Sequence, residues 1–222
     1  HNITANLYLI DWLDHNGIEY DVFADEDLHL RQLELLSGYR CVILGSHPEY
    51  WTGAMVRSVT AYTRQGGRIL YLSGNGMYWV MSIDPGRPHL MELRRGGEGD
   101  YGPTYKPAPG ESQHSTTLEL GGLWSRRGHP ARGTFGVEHA SNVWSESEGD
   151  WGYELLPASN GPEYRFIFEG VAQEETIGEF GLNLGSAAGF EMDAVQPWAW
   201  DESTPEPVVL ARASHPSFTP PR

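Results

Sequence analysis

Three side chains able to do chemistry fall within four residues at His47-Pro48-Glu49-Tyr50: an imidazole, a carboxylate and a phenol. Trp51 and Thr52 follow, and Thr52 is a residue type that caps a helix. A helix N-terminus favours anionic groups, so a carboxylate or phenolate held beside it is easier to ionise and suits metal binding. The alternative is that Tyr50 and Trp51 pack the loop and Glu49 is solvated. A second segment, Gly74-Asn75-Gly76-Met77-Tyr78-Trp79, has no Cys or Ser at its tip and no GxxxxGK[ST] after it. It is therefore neither a thiol elbow nor a phosphate loop. The nine histidines form no HExxH and no close pair of the zinc type, and no GxSxG exists. A metal here would draw mainly on oxygen donors, which with a phenolate suit a hard ion such as ferric iron.

The elements that must position these groups alternate over the first eighty residues. Residues 5–16 place Leu9, Ile10 and Leu13 at helical spacing before Gly17, and 18–23 (IEYDVF) reads as a strand. Asp27 can cap a helix with an apolar face of Leu30, Leu33 and Leu36, ended by Gly38. Residues 40–45 (RCVILG) and 68–73 (RILYLS) read as strands buried on both faces. Between them a helix starts at Thr52, carries Met55, Val59 and Tyr62 on one side, and closes at Gly66-Gly67. This α-β-α-β-α-β order predicts an α/β fold, a flavodoxin-like parallel sheet with helices on both faces. Such a domain normally opens on a strand, so the first strand is expected to be missing and the chain to be an excerpt of a longer protein.

Residues 1–84 are read as the α/β core and 85–213 as an irregular, strand-rich continuation of the same domain. In the continuation, 96–113 is an irregular excursion and 133–138, 163–168 and 207–211 are candidate strands. Residues 214–222 read as a disordered tail. Ligands of open parallel sheets bind beyond the strands' carboxyl ends. Those ends are the loops 24–29, 45–51 and 73–79, joined by the start of the first helix near Tyr8. Cys41 sits at the far end of its strand and is read as a core thiol. Asp27 and His29 are read as bracing a helix.

The chain of 222 residues carries net charge −15, with 30 acidic against 15 basic residues, which disfavours a nucleic-acid partner. Arg94-Arg95 and Arg126-Arg127 read as ordinary surface. One cysteine forbids an intrachain disulfide and fits a reducing, cytoplasmic compartment. No apolar run is long enough to span a membrane, and no signal peptide is visible.

The stretches YDVFADEDLH (20–29), VILGSHPEYWTGAM (42–55), GGRILYLSGNGMYW (66–79), ELGGLW (119–124) and SAAGFEMDA (186–194) carry a resemblance when taken together and in order. They resemble the C-terminal, class I glutamine-amidotransferase-like domain of N,N-dimethylformamidase large subunits, over about residues 5–200. In glutamine amidotransferases the turn at Gly74-Asn75-Gly76 would hold the nucleophile. The resemblance implies an amidohydrolase that cleaves dimethylformamide to dimethylamine and formate, with a mononuclear iron held by two tyrosines and a glutamate. Tyr50 matches one tyrosine. Glu119 is the implied carboxylate, with Glu191 as its competitor and otherwise an acid or base. Tyr8 is the implied second tyrosine, with Tyr20 and Tyr78 as alternatives. His114 would orient substrate or water, or else be a surface histidine in a polar loop. His47, Glu49 and Asn75 would support the ligands, and Trp51, Tyr78 and Trp79 would wall the substrate. The resemblance also implies a small-molecule amide substrate, a small partner subunit and a homo-oligomer. The competing reading is a non-catalytic, ThuA-like module that binds a carbohydrate or a partner chain.

Overall fold

Helix α1 (Ile3–His15) forms where apolar residues recur at helical spacing, and it buries Leu13 while Leu9 and Ile10 are half-buried. Gly17 follows it at φ 64°, a left-handed conformation that glycine adopts without strain. The structure, a computed structural model, describes residues 3–95, 111–143, 152–179, 190–195 and 206–214. It divides into two compact units, His1–Glu138 and His139–Arg222.

Residues 18–24 form no strand, which corrects the reading of 18–23. Ile18 and Val22 are exposed, so no ladder partner covers them. Side chains tether the segment instead: Tyr20 donates to Asp14 at 3.1 Å and Tyr39 donates to Asp21 at 2.9 Å. Helix α2 (Asp25–Leu36) starts where the Asp27 carboxylate accepts from the Ala24 N–H at 2.9 Å, the bracing role expected of it. Gln32 breaks the helix at φ 54°, ψ −139°. The break turns the apolar face, so that Leu28, Leu35 and Leu36 are buried and Leu30 is 60% exposed. The expected Leu30–Leu33–Leu36 stripe is corrected accordingly.

Strands β1 (Cys41–Leu44) and β3 (Arg68–Tyr71) pair in parallel, with Val42 opposite Ile69. Helix α3 (Gly53–Arg64) connects them, capped by Thr52, whose Oγ1 accepts from the Met55 N–H at 3.3 Å. It buries Met55, Val56, Val59 and Tyr62, as its sequence spacing predicts. Burial along β3 alternates, and Cys41, Leu70 and Leu72 are exposed. β3 is therefore covered on one face, not two, and Cys41 is not a core thiol.

Between β1 and α3 lies the short β2 (Tyr50–Trp51), parallel to β4 (Trp79–Asp84) with Tyr50 opposite Trp79. β4 continues into an antiparallel hairpin with β5 (Arg87–Leu93), turned by Asp84, which accepts from the N–H groups of Gly86 and Arg87. The described strands form small sheets in a mixed α/β arrangement with no closed barrel. The core gathers Leu36, Val42, Trp51, Met55, Val59, Val80 and Trp124 among others.

Residues 111–124 lie along the hairpin. Gly122 donates to Arg94 O and accepts from Val80 N, both at 2.8 Å, and Trp124 N donates to Tyr78 O at 3.0 Å. The approach at Gly121 is too close for a side chain, since a Cβ there would sit 2.0 Å from Arg94 O. That is the physical content of the Gly-Gly-Leu-Trp motif.

The expected strand at 133–138 is a short helix, α4 (Arg132–Phe135), ended by Gly136 at φ 80°. Strand β6 (Glu138–Val143) begins after it and pairs with β9 (Phe190–Ala194). In the second unit, β7 (Tyr153–Leu155) pairs antiparallel with both β8 (Thr176–Ile177) and β10 (Ala211–Arg212). Residues 163–168 contain a 3-10 turn at Arg165–Phe168 rather than a strand, with Phe166 and Ile167 exposed. Of the strand expected at 207–211 only its end survives, in β10. Most of the expected 96–113 excursion and of the 214–222 tail lies outside the described residues.

Replacing Gly121 by Ala should lower stability by about 1–3 kcal/mol, because backbone must move to admit the methyl group. Thermal unfolding would show it as a lower midpoint. An unchanged midpoint would mean that the motif does not lie against Arg94.

Candidate functional site

The site starts at the carboxyl end of β1. Asn6 of α1 reaches this end, and its side-chain oxygen accepts from Ser46 N at 2.9 Å and Ser46 Oγ at 3.1 Å. Gly45 permits the approach, because a Cβ there would lie 2.3 Å from Asn6 Oδ1. His47 then adopts φ 60° and donates its backbone N–H to Ser73 Oγ at 2.8 Å. Its Nδ1 lies 3.0 Å from Glu49 Oε1. Glu49 is 7% exposed, so it is a buried, imidazole-paired carboxylate and not a solvated one.

The following carbonyls tie this loop to the next. Pro48 O accepts from Met77 N at 2.9 Å, and Glu49 O accepts from Tyr78 N at 3.0 Å and Trp79 N at 2.7 Å. The Trp51 indole N–H also donates to Pro48 O. Gly76 N donates to the Tyr71 hydroxyl at 2.5 Å. Asn75 and Met77 are buried with φ of 64° and 50°. Together with His47 they put three non-glycine residues in the left-handed region within two adjoining loops. Strain of this kind persists only where surrounding bonds enforce it, and it clusters at functional sites. The third expected loop contributes His29, whose Nδ1 is 2.9 Å from Thr52 Oγ1 and whose pKa is lowered by burial.

Tyr50 is half-buried on β2 and packs against the core. The Trp124 indole donates to Trp51 O at 3.0 Å, and the Arg127 guanidinium lies 5.6 Å from the Trp124 ring. Arg127 in turn holds Glu119 Oε1 at 2.5 Å. Glu119 is thus linked to the Tyr50 strand through Arg127 and Trp124, with its carboxylate already engaged. Tyr8 is 59% exposed. It lies about 200° around α1 from Asn6 at ~100° per residue, so Asn6 is the helix residue that meets the loop. Tyr20 is exposed and bonded to Asp14, and Tyr78 meets Trp79 edge-on at 5.2 Å. Glu191 lies in the second unit, half-buried on β9. Tyr50, Glu119 and Tyr8 offer hard oxygen atoms of the kind iron takes, but Tyr8 lies on the other side of α1 from the residue that meets the loop, and Glu119 is already held by Arg127.

His114 is fully buried, which corrects its reading as a surface histidine. Its Nδ1 lies 2.6 Å from Ser82 Oγ, and Ser82 Oγ is 3.1 Å from Thr116 Oγ1. Thr116 and Ser115 donate from hydroxyl and backbone to Glu92, which also binds Arg94 at 2.7 Å. Burial alone would raise the Glu92 pKa, but the bonds from Ser115, Arg94 and Thr116 outweigh it and hold the group at about 2. Burial lowers the His114 pKa. Sequence reasoning missed Glu92, Ser82 and Asn6. The arginine pairs are also not ordinary surface: Arg94 binds Glu92, Arg95 lies 5.3 Å over Trp79, and Arg127 binds Glu119.

Residues 1–220 match the family described as "N,N-dimethylformamidase beta subunit-like, C-terminal". The chain belongs to that family. A protein from Alcaligenes sp, named "N,N-dimethylformamidase beta subunit", is 39% identical over 193 residues, which is 86% of this chain and 24% of the relative. A protein of the same name from Paracoccus aminophilus is 38% identical over 193 residues, with the same shares. The chain therefore spans about a quarter of the length of these dimethylformamidase relatives. The resemblance to the large subunit is corrected: the family and both relatives bear the beta-subunit name. Among the described residues no helix is long and apolar enough to cross a membrane.

Glu92 gives a pH prediction with a definite sign. Its folded pKa, about 2, lies below the ordinary 4.5, so its contribution to stability is complete above the ordinary carboxylate range. The contribution is lost as pH falls through about 2. Denaturant unfolding should find wild type more stable than Glu92→Gln near neutrality and the gap closing in acid. A gap independent of pH would contradict the bonded carboxylate.

Proposed function

We propose that this chain carries active-site residues of a small-amide hydrolase that cleaves the C–N bond of N,N-dimethylformamide or a close analogue to an amine and formate. The observation that carries the reading is the pairing of half-buried His47 with the buried Glu49 carboxylate next to Tyr50, in two strained loops tied by backbone bonds. Membership of the dimethylformamidase beta-subunit-like family supplies the substrate class. Tyr50 is the residue proposed to hold a mononuclear iron, which when bound would polarise the amide carbonyl and ease ionisation of water; Glu119, held by Arg127, and Tyr8, exposed on the other side of α1 from Asn6, would both have to move to join it. Glu49 fixes the His47 ring through Nδ1, which keeps the polar edge of the loop in one orientation. Trp79, held edge-on by Tyr78, contributes apolar surface that excludes bulk water from a small tertiary amide. His114 is assigned to water.

The relatives' beta-subunit name supports a partner subunit, and a homo-oligomer is part of the same proposal. The parallel β1–β3 pair bridged by α3 supports descent from a flavodoxin-like, glutamine-amidotransferase-like sheet. A lone cysteine supports a cytoplasmic setting.

The test compares wild type with Tyr50→Phe, isolated with any copurifying subunit, for amine release from dimethylformamide and for iron content with its phenolate absorption band. Changing groups that merely support a metal ligand costs roughly 10–100-fold in affinity or activity, and loss of a ligand should cost more. Tyr50→Phe should therefore lose the band and fall in activity beyond that range. Full iron content and full activity in Tyr50→Phe would sink the ligand assignment.

A further inference from the structure

The bonds around His114 have a direction. Glu92, ionised, can only accept. The single Thr116 hydroxyl proton goes to Glu92 Oε2 at 3.1 Å. Thr116 Oγ1 must then accept from Ser82, whose own single proton is used in that bond at 3.1 Å. Ser82 Oγ is left as an acceptor toward His114 Nδ1 at 2.6 Å, so Nδ1 carries the hydrogen. A neutral imidazole has one N–H, and the other nitrogen is a lone-pair acceptor. That nitrogen, Nε2, is buried and has no hydrogen-bond partner among the described residues. Ser82 and His114 are both buried, so bulk water does not scramble the chain. Leaving a buried polar atom unsatisfied costs free energy, and such atoms in folded proteins call for an explanation.

We infer that Glu92, Thr116 and Ser82 form a one-directional hydrogen-bond relay that locks His114 as its Nδ1–H tautomer and presents Nε2 as the acceptor of a hydrogen bond from the hydrolytic water. The tautomer lock stands on the bonds alone. The water's role rests on the proposed amide hydrolysis. Ser82, Thr116 and Glu92 are positioning residues that act through His114. The relay also explains why a fully buried histidine meets a serine hydroxyl, that of Ser82, at its Nδ1.

The test is imidazole 15N NMR on the histidine-labelled chain, with the His114 signals assigned by their loss in His114→Asn. Wild type should show a hydrogen-bearing Nδ1 and a bare, acceptor-type Nε2. Thr116→Val removes the hydroxyl that receives the Ser82 proton, so Ser82 becomes free to donate to Nδ1 and the Nε2–H tautomer should appear. Thr116→Ser restores the hydroxyl and should restore the Nδ1–H tautomer. Groups that fix a histidine tautomer typically contribute roughly 10–100-fold to activity, so Thr116→Val should lower kcat on dimethylformamide by at least about tenfold with little change in KM, and Thr116→Ser should recover it. A wild-type His114 bearing its hydrogen on Nε2, or a tautomer indifferent to Thr116→Val, overturns the relay. A tautomer that shifts while kcat does not overturns the role assigned to Nε2. Wild-type protein inactive on amides would sink the hydrolase reading, and the NMR result would still decide the lock.

Discussion

Two backbone carbonyls, those of Pro48 and Glu49, hold the candidate site together. They accept the N–H groups of Met77, Tyr78 and Trp79, and so join the loop after β1 to the loop after β3. Much else depends on that junction. It puts Tyr50 in register with Trp79 and starts β4, the most continuously buried strand described. It also holds His47, Asn75 and Met77 in left-handed backbone conformations that side-chain-bearing residues adopt only under constraint. The Trp51 indole and the Tyr71 hydroxyl brace the two sides of the junction.

From this junction the polar groups are supported outward in layers. Asn6 fixes the approach to His47 from α1, and Ser73 fixes it from β3. Trp124 donates to Trp51 O and carries Arg127, which holds Glu119. Further along β4, Ser82 connects His114 to Thr116 and Glu92. One strand thus ties the loop junction at its start to a buried hydroxyl network in its middle.

The parts legible in the sequence are those whose cause is local. Thr52, the Met55–Val59–Tyr62 spacing and the closing glycines specify α3 within one short window, and the structure follows them. The β1 and β3 runs were readable as strands, but their burial depends on what covers each face, so Leu70 and Leu72 misled. A single left-handed residue, Gln32, redirects α2 and exposes Leu30, and nothing in a heptad pattern announces it. The loop 45–51 was legible as a site because its side chains are concentrated there. Whether Glu49 is solvated was not, since its segment is closed over by a loop 26 to 30 residues later. Glu92 and His114 were harder still, because the partners Ser115 and Ser82 lie 23 and 32 residues away in sequence. Arg94 and Arg127 looked like surface charges for a different reason: their partners Glu92 and Glu119 are near in sequence, but only the folded backbone turns each arginine back onto its carboxylate.

The most direct test of the junction is native-state hydrogen exchange at the amides of Met77, Tyr78 and Trp79. If the carbonyls of Pro48 and Glu49 hold the two loops together, these three amides should exchange as slowly as Val80 in the buried strand and share its response to denaturant. Fast exchange at all three beside a protected Val80 would mean that the loops are independent, and the site built on their junction would not stand.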